Sequence, residues 1–375
     1  MIAVPKRIMH AVRIMNRGGV ETWLMHAMRH LDPRRVRMDF LVHSEAQGEY
    51  DDEIRDLGGK VIRCGEPLWS IAYRHRVALA LAQNGPYDVF HSHVHHFSGY
   101  LLYLARIAGI PNRIAQSHND TSLVDRSATW LRRCYLRWAS ASIQRNATCL
   151  AAVSKPAGRA LFGAKWQSDP RNRIQRCGID LSPFRSRTDR VSVREEWRIS
   201  DDAFVLGHVG RFDPQKNHSF VIQIVAELVR QRPNAMLLLI GDGPLRPKIE
   251  REAREAGIVD HVIFGGVRKD VPRLLQAMDL LVFPSRWEGL PLTLMEAQAA
   301  GVPSVISDVI TNETDIVSSL IRRVPLSFSA AQWADEILSG AWTRAVDPEH
   351  ALQEVEHSSF NISSSVEQLY AIYNA

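Results

Sequence analysis

Two doubly wound α/β domains are what this 375-residue sequence predicts, and three observations carry the prediction. Short apolar runs alternate with longer amphipathic stretches through most of the chain, the strand–helix–strand repetition that builds a parallel sheet covered on both faces. The runs fall into two series with one polar stretch between them. The length suits about two domains, and 45% hydrophobic with 23% charged residues is the balance of a folded protein. Collagen-like, low-complexity and broadly disordered chains are excluded, and no internal repeat is visible.

In chain order, the first series of strands is Arg7–Met15, Val36–His43, Lys60–Cys64, Tyr87–His91, Arg113–Ser117 and Thr148–Ser154. The second is Phe204–Arg211, Ala235–Gly241, His261–Gly265, Leu280–Pro284 and Ser304–Ser307. Helical patterns lie between them at Glu21–Leu31, Phe220–Gln231 and Leu245–Ala256, and a last one at Ser363–Tyr373. The polar stretch Cys177–Asp202, containing Pro183, reads as the linker and divides the chain into 1–183 and 184–357, with 358–375 as a terminal segment. Ligands of open α/β sheets sit at the carboxyl ends of the strands, so the active site is expected in a cleft between the two domains.

The formal charge of +5 hides an asymmetry. Residues 1–185 hold 27 Lys+Arg against 15 Asp+Glu, a net of +12, and residues 186–375 hold 19 against 26, a net of −7. A basic half joined to an acidic half suits an anionic partner for one of them, although drift in charge between two domains gives the same numbers. Cys64, Cys134, Cys149 and Cys177 show no C-x-x-C spacing and are expected to be buried free thiols of a reducing compartment. The N-terminus has no signal-peptide pattern, and no apolar stretch approaches the ~20 residues of a membrane span. A cytoplasmic protein is expected, with a peripheral place on the inner face of the plasma membrane left open.

Four segments carry chemistry. Gly18-Gly19 stands between a strand and a helix, where small residues let the backbone approach a ligand and the helix start favours anions. A plain tight turn has the same signature, and the G-x-G-x-x-G dinucleotide pattern is missing. After Phe204–Val209, Arg211 and Lys216 can converge on one diphosphate, the first as a planar fork and the second as a mobile point charge. In Pro284–Ala297 a strand ends, a Gly/Pro loop follows, and Leu292 begins a helix whose free N–H groups bind phosphate. Glu288 precedes that helix and Glu296 lies about a turn inside it. The two carboxylates therefore sit at different depths and suit two parts of one polyhydroxylated ligand.

These residues, with Gly241-Asp242-Gly243-Pro244-Leu245, resemble the retaining glycosyltransferases of family 4, which have the GT-B fold of two Rossmann-like domains facing a deep cleft. The resemblance covers nearly the whole chain and is most specific from Gly210 to Asp308. Glu288–Asp308, with Ile310-Thr311, looks most like the exopolysaccharide-synthesis branch. Leu369-Tyr370 and Tyr373 are similar to the family's terminal helix, which crosses back onto the first domain.

The resemblance implies a role for each matched residue. Arg211 and Lys216 would hold and stabilise the leaving diphosphate. Glu288 would bind hydroxyls of the transferred sugar and Glu296 the ribose hydroxyls. Backbone amides near Gly289, Leu290 and Leu292 would complete the anion site, Gly18 and Gly19 would close over the phosphates, and Val267 and Arg268 would border the base. His118 matches the family histidine that contacts the donor sugar. No cofactor or metal is expected, because fixed positive groups meet the developing charge and no D-x-D pair follows a strand. Pro291 stands where many relatives carry a second glycine, and Cys177 replaces the usual Asn before Gly178-Ile179-Asp180. Both departures weaken transfer of fine donor specificity.

Two features stand apart from the motif. His91, His93, His95 and His96 can present three imidazoles at a strand end, which invites zinc. No Asp, Glu or Cys lies nearby in sequence to complete a shell, so a metal is not expected there. Arg126–Arg145 interleaves five arginines with Trp130, Leu131, Tyr135, Leu136 and Trp138. It reads as a membrane-surface helix or as a domain helix whose Trp and Leu face the core. No nucleic-acid motif accompanies the charge.

The expected function is transfer of a hexose or N-acetylhexosamine from a nucleotide-sugar, a UDP-sugar by branch resemblance, to a glycan or lipid-diphosphate-linked acceptor in exopolysaccharide, capsule or O-antigen synthesis. The alternatives are a GDP-mannose-dependent mannosyltransferase, a nucleotide-sugar epimerase of the same fold, and a non-catalytic sugar-nucleotide-binding scaffold.

Overall fold

The computed structural model describes residues 4–65, 68–122, 125, 128–186, 188–340 and 346–374. The chain divides into two compact units, Met1–Gly178 with Ile362–Ala375, and Ile179–Asn361.

The first unit is built on a seven-stranded sheet of β1 (Lys6–Val12), β2 (Val36–Val42), β3 (Val61–Arg63), β4 (Val89–Ser92), β5 (Asn112–Ser117), β6 (Cys149–Ala152) and β7 (Asn172–Ile174). Every pairing is parallel, in the order β3-β2-β1-β4-β5-β6-β7. Strands buried on both faces need nearly continuous apolar sequence. One face supplies Met9, Ala11, Leu41, Phe90, Ala115 and Leu150 to a core completed by Tyr73, Val77, Leu101, Leu102 and Ile143. The other face is more polar, and carries His10 opposite His91 in the β1/β4 register.

The second unit has a six-stranded parallel sheet of β8 (Phe204–Val209), β9 (Ala235–Ile240), β10 (Val262–Gly266), β11 (Leu280–Phe283), β12 (Ser304–Ser307) and β13 (Ile321–Val324), ordered β10-β9-β8-β11-β12-β13. Leu206, Leu237, Leu239, Val282 and Val305 meet Val221, Ile224, Val225 and Leu228 of the helix His218–Gln231, with Trp333 buried beside them. Ser329 opens the helix Ala330–Ser339 with a capping box, taking the Gln332 amide while the Gln332 side chain returns to its own N–H.

The polar stretch expected to be a linker is instead structure of the second unit. Ile179 donates to Phe360 O at 2.8 Å and bridges Asn361, which draws the unit boundary five residues ahead of 183/184. Within the stretch, Ser182–Arg185 and Arg190–Glu196 are helical, and Arg194 is fully buried. Its guanidinium reaches Asp279 at 2.7 Å and three backbone carbonyls, of Asp201, Ala203 and Ala277. A buried arginine with every guanidinium nitrogen engaged leaves a polar sequence signature on a core element.

Two strands escaped the sequence reading. β7 and β13 are edge strands in which Arg173 and the Arg322-Arg323 pair interrupt the apolar pattern, a common device against edge pairing. Conversely, the first strand ends at Val12 although Met15 beyond it is fully buried, because burial continues where the ladder stops. The cysteines also need correction. Cys64 and Cys177 are buried, but Cys149 is only half-buried and Cys134 is exposed on the helix Trp130–Asn146, where it faces away from Ala139 and Ile143. Among the described residues no helix is long and apolar enough to cross a membrane.

Candidate functional site

In the second unit the loops after β8, β9 and β11 build one charged corner. The backbone after β8 and that after β9 touch directly. Phe212 donates to Asp242 O at 3.0 Å, and a Cβ on Gly241, which has φ +131°, would stand 2.1 Å from Gly210 O. Only glycine fits there, which accounts for its place in the Gly241-Asp242-Gly243 turn. The β8 loop then turns back through Asp213, whose carboxylate takes the amides of Gln215 and Lys216 at 3.0 and 3.3 Å. Asn217 adopts a left-handed φ of 59° and opens the helix His218–Gln231.

This turn presents Lys216 to Glu288. Lys216 Nζ stands 2.6 Å from Glu288 Oε1 and 4.6 Å from the centroid of the Phe283 ring. Gln215 Nε2 donates to Glu288 Oε2 at 3.1 Å and to Trp287 O at 2.9 Å. Both oxygens of a carboxylate that is only 6% exposed are thereby engaged, which is the condition for keeping a buried charge. The two loops are also clamped through Arg286 N to Gln215 O at 2.8 Å and Asn217 Nδ2 to Pro284 O at 3.1 Å.

Behind Glu288 the helix Leu292–Ala299 begins with Pro291 as its N-cap. Its first amides have no intrahelical acceptor, the kind of helix end at which an anion can be received. Glu296 sits half-buried one turn in, and among the described residues its carboxylate has no hydrogen-bond partner. Burial raises its pKa to about 7.

The sequence-predicted residues divide as follows. Lys216, Glu288, Gly289, Leu290, Leu292 and Glu296 fall on one loop-and-helix corner. Arg211 does not join Lys216 here: it is exposed and has no partner among the described residues, while Lys216 is taken by Glu288. Val267 is 45% exposed, and Arg268 is held by Asp270 at 2.8 Å and lies over the Trp197 ring at 5.2 Å. The sequence reading missed Gln215, although its place beside Lys216 was the available signal.

In the first unit, Gly18 caps and Gly19 begins the helix Gly19–His30, and the space a Gly19 side chain would occupy is open. His118, just past β5, is half-buried in a chain of imidazoles. Its Nε2 meets His93 Nδ1 at 2.9 Å, and His93 Nε2 meets His10 Nδ1 at 2.9 Å. Tyr373 OH, from the terminal helix Ile362–Asn374, lies 3.4 Å from His10 Nε2 and 3.2 Å from His91 Nδ1. Trp23 covers the chain from the helix Gly19–His30 and donates to Ser365 Oγ at 2.9 Å. His118 Nδ1 faces Cys177 Sγ at 3.8 Å, so both of its ring nitrogens have protein neighbours. Burial lowers the pKa of His10 and of His118 to about 3. His95 and His96 leave the strand in a 3₁₀ turn, and His96 Nε2 reaches Asp125 at 3.4 Å. Of the HSHVHH run only His91 and His93 therefore share the sheet face.

On the basic helix, Arg126 and Ser127 lie outside the described residues. From Trp130 to Asn146 the core takes Ala139 and Ile143, while Trp130, Leu131 and Trp138 are 71%, 63% and 46% exposed. Trp69, 55% exposed, leans edge-on against Trp138 with centroids 5.7 Å apart. The core-facing alternative is thus set aside for these three residues.

Two parallel-sheet Rossmann-like units, the second with a cation–carboxylate pair beside a helix N-terminus, have the architecture of the GT-B class. Comparison with known proteins agrees. Residues 18–174 match the family described as glycosyl transferase 4-like domain, and residues 189–339 match glycosyl transferases group 1. EpsF of Bacillus subtilis (strain 168), named as a glycosyltransferase, is 34% identical over 98% of this chain and 96% of its own. An Escherichia coli UDP-Gal:α-D-GlcNAc-diphosphoundecaprenol α-1,3-galactosyltransferase is 26% identical over 61% of this chain and 60% of its own. Among solved structures, Anabaena Alr3699/HepE in complex with UDP and glucose superposes with a TM-score of 0.80 at 18% identity, covering 98% of this chain and 99% of that one. The chain belongs to the family 4 glycosyltransferases, with the GT-B fold and of the exopolysaccharide type.

Proposed function

We propose that this glycosyltransferase moves a hexose or N-acetylhexosamine from a UDP-sugar to a glycan or lipid-diphosphate-linked acceptor during polysaccharide synthesis, with retention of configuration and without a metal ion. The observation that carries the reading is the Lys216–Glu288 pair, held by Gln215 at the mouth of an anion-binding helix. A nucleotide-sugar would exchange the partners of that pair. The diphosphate takes the Lys216 ammonium and the Arg211 guanidinium, and Glu288 turns to sugar hydroxyls. Glu296 accepts from ribose hydroxyls. The glycosidic C–O bond to phosphate breaks with its electron pair going to the diphosphate. The acceptor hydroxyl attacks the same face, and the leaving phosphate takes its proton. Preorganised positive groups meet the charge that develops, the role a metal would otherwise fill.

The UDP donor is supported by the UDP-bound neighbour, and a lipid-diphosphate acceptor by the E. coli relative. The exposed Trp130, Leu131, Trp138 and neighbouring arginines would bring the chain to an anionic membrane surface.

The test is thermal stabilisation by UDP, GDP, ADP and CMP, each with and without Mg²⁺, since a ligand specific to the folded state raises the midpoint by mass action. A rise with UDP alone, equal with and without metal and lost in Glu296→Ala, is expected. A rise with GDP alone moves the reading to a mannosyltransferase. No rise with any nucleotide overturns it in favour of a scaffold.

A further inference from the structure

The polar face of the first sheet gathers several imidazoles from different strands. His10 comes from β1, His91 and His93 from β4 and just beyond it, and Tyr373 from the terminal helix. A nitrogen of each of the three imidazoles lies within 4.8 Å of one on the other two. The ring centroids of His10 are 5.2 Å from those of both His91 and His93, and the last two are 4.2 Å apart. Three imidazoles on one tetrahedral ion, with Zn–N of ~2.1 Å, would hold their centroids ~5 Å apart and their ligating nitrogens ~3.4 Å apart.

The remaining nitrogens are arranged as an outer ring of supports. Tyr373 OH contacts both His10 Nε2 and His91 Nδ1, and His118 Nε2 contacts His93 Nδ1. That leaves His10 Nδ1 and His93 Nε2 bonded to each other at 2.9 Å, and His91 Nε2 buried without a hydrogen bond of normal geometry, Gln116 being the polar side chain beside it. Metal-bound histidines characteristically have the non-ligating nitrogen fixed by such a partner, which sets ring orientation. An orphaned nitrogen inside a protein costs free energy that coordination would recover. His10 is also the ligand that local sequence could not supply, since it stands 81 residues before His91.

We propose that His10, His91 and His93 form a binding site for a borderline transition-metal ion, zinc above all, with Tyr373 and His118 as the groups that orient the ligands. An all-imidazole set disfavours magnesium and calcium, which take oxygen, and suits zinc, copper, nickel or iron. Three protein ligands leave the fourth position to water or an anion. The ion has no part in the proposed transfer step, and the site shares only His118, as a supporting group, with the residues that the family resemblance assigns to the donor.

The experiment uses the full chain, stripped with chelator and then titrated with zinc sulfate, followed by X-ray absorption. One zinc per chain with three nitrogen scatterers at ~2.0–2.1 Å, and a raised unfolding midpoint, are expected. Cobalt(II) should give the intense visible bands of a tetrahedral ion. His10→Asn and His91→Gln should each weaken zinc binding at least tenfold. His350→Ala, which removes the exposed i,i+4 pair with Glu354, should change nothing. If either ligand variant fails to fold, the absorption spectrum of the wild-type chain decides alone. Zinc bound chiefly through oxygen or sulfur, stoichiometry lost in His350→Ala, or no uptake of zinc or cobalt overturns the proposal.

Discussion

The charged corner of the second unit and the histidine layer of the first stand at the carboxyl ends of parallel strands, yet they satisfy buried polar groups in opposite ways. In the corner, formal charges cancel: Lys216 and Glu288 meet at 2.6 Å, with Gln215 completing the carboxylate. In the layer, four imidazoles and a phenol share hydrogen bonds without formal charge, because burial holds His10, His91, His93 and His118 far below the usual range. An ion pair can be opened by an incoming anion at small net cost when the cation gains that anion and the carboxylate gains hydroxyl donors. A neutral imidazole chain has no charge to hand to an anion: its nitrogens bond one another or, as proposed above, a cation. The first arrangement suits a substrate that comes and goes, and the second a fixed support.

The sharpest way to break that comparison is Lys216→Ala. It strands the Glu288 carboxylate, which costs about 3–5 kcal/mol when a buried pair loses one partner. It also removes a group placed to stabilise the leaving diphosphate, for which a 10²–10³-fold fall in turnover is the usual order of magnitude. Adding Glu288→Gln should restore most of the stability and none of the turnover. Urea unfolding and a transfer assay separate the two, and recovery of both together would show that the pair is only structural.

Local sequence made the corner readable and showed the layer only in pieces, with His10 missing from them. Lys216 follows its strand by a handful of residues, and Glu288, Leu292 and Glu296 lie within a single strand–loop–helix passage, so spacing fixes their relation. What spacing could not give was that Lys216 would rest on Glu288 rather than beside Arg211, because the contact spans 72 residues and depends on how Asp213 folds the loop. His10, His93, His118 and Tyr373 come from four distant elements, joined by the β1/β4 and β4/β5 registers and the docking of the terminal helix. The misread linker has a similar cause: Arg194 looks polar in sequence and is a core residue in space, through a contact 85 residues away.

The layer can be probed through its shared phenol. Tyr373→Phe removes one hydroxyl and leaves His10 Nε2 and His91 Nδ1 without that contact. Stranded buried polar atoms cost about 1–3 kcal/mol, so the urea midpoint should drop by a corresponding amount. Nucleotide-induced stabilisation should persist, because the corner belongs to the other unit. Loss of nucleotide binding along with stability would erase the distinction between exchangeable and fixed.

A comparable effect tests the corner's own unpaired acid. Burial raises the Glu296 carboxyl from 4.5 to about 7, so between those values the folded chain binds more protons than the unfolded one. The contribution is therefore fully present below pH 4.5 and lost as pH rises through 7. The imidazoles of His208 and His218 run the other way. They are lowered to about 4 and about 2, and their contribution is present above pH 6.5 and falls as the pH drops. Glu296→Gln should remove the first slope and keep the second, raising stability at pH 8 by up to about 3 kcal/mol while nucleotide binding is lost. Equal effects at pH 5 and pH 8 would refute the raised carboxyl.

The smallest expected change in stability belongs to the basic helix, and there the absence of an effect is informative. Trp130 and Leu131 are 71% and 63% exposed, and neither makes a ring contact among the described residues, whereas Trp138 rests on Trp69 and Tyr135. Exposed substitutions away from special features usually fall within about 0.5 kcal/mol, so Trp130→Ser with Leu131→Ser should leave the urea midpoint where it was. If the helix meets a membrane, the same double variant should reduce sedimentation with vesicles containing anionic phospholipid. The residual binding should be weaker at high salt, since Arg137 and Arg145 are exposed and would supply the electrostatic part. A loss of stability beyond 1 kcal/mol would mean that these side chains pack against protein. Unchanged vesicle binding would assign the attachment to the +12 charge of residues 1–185 alone, without a hydrophobic anchor.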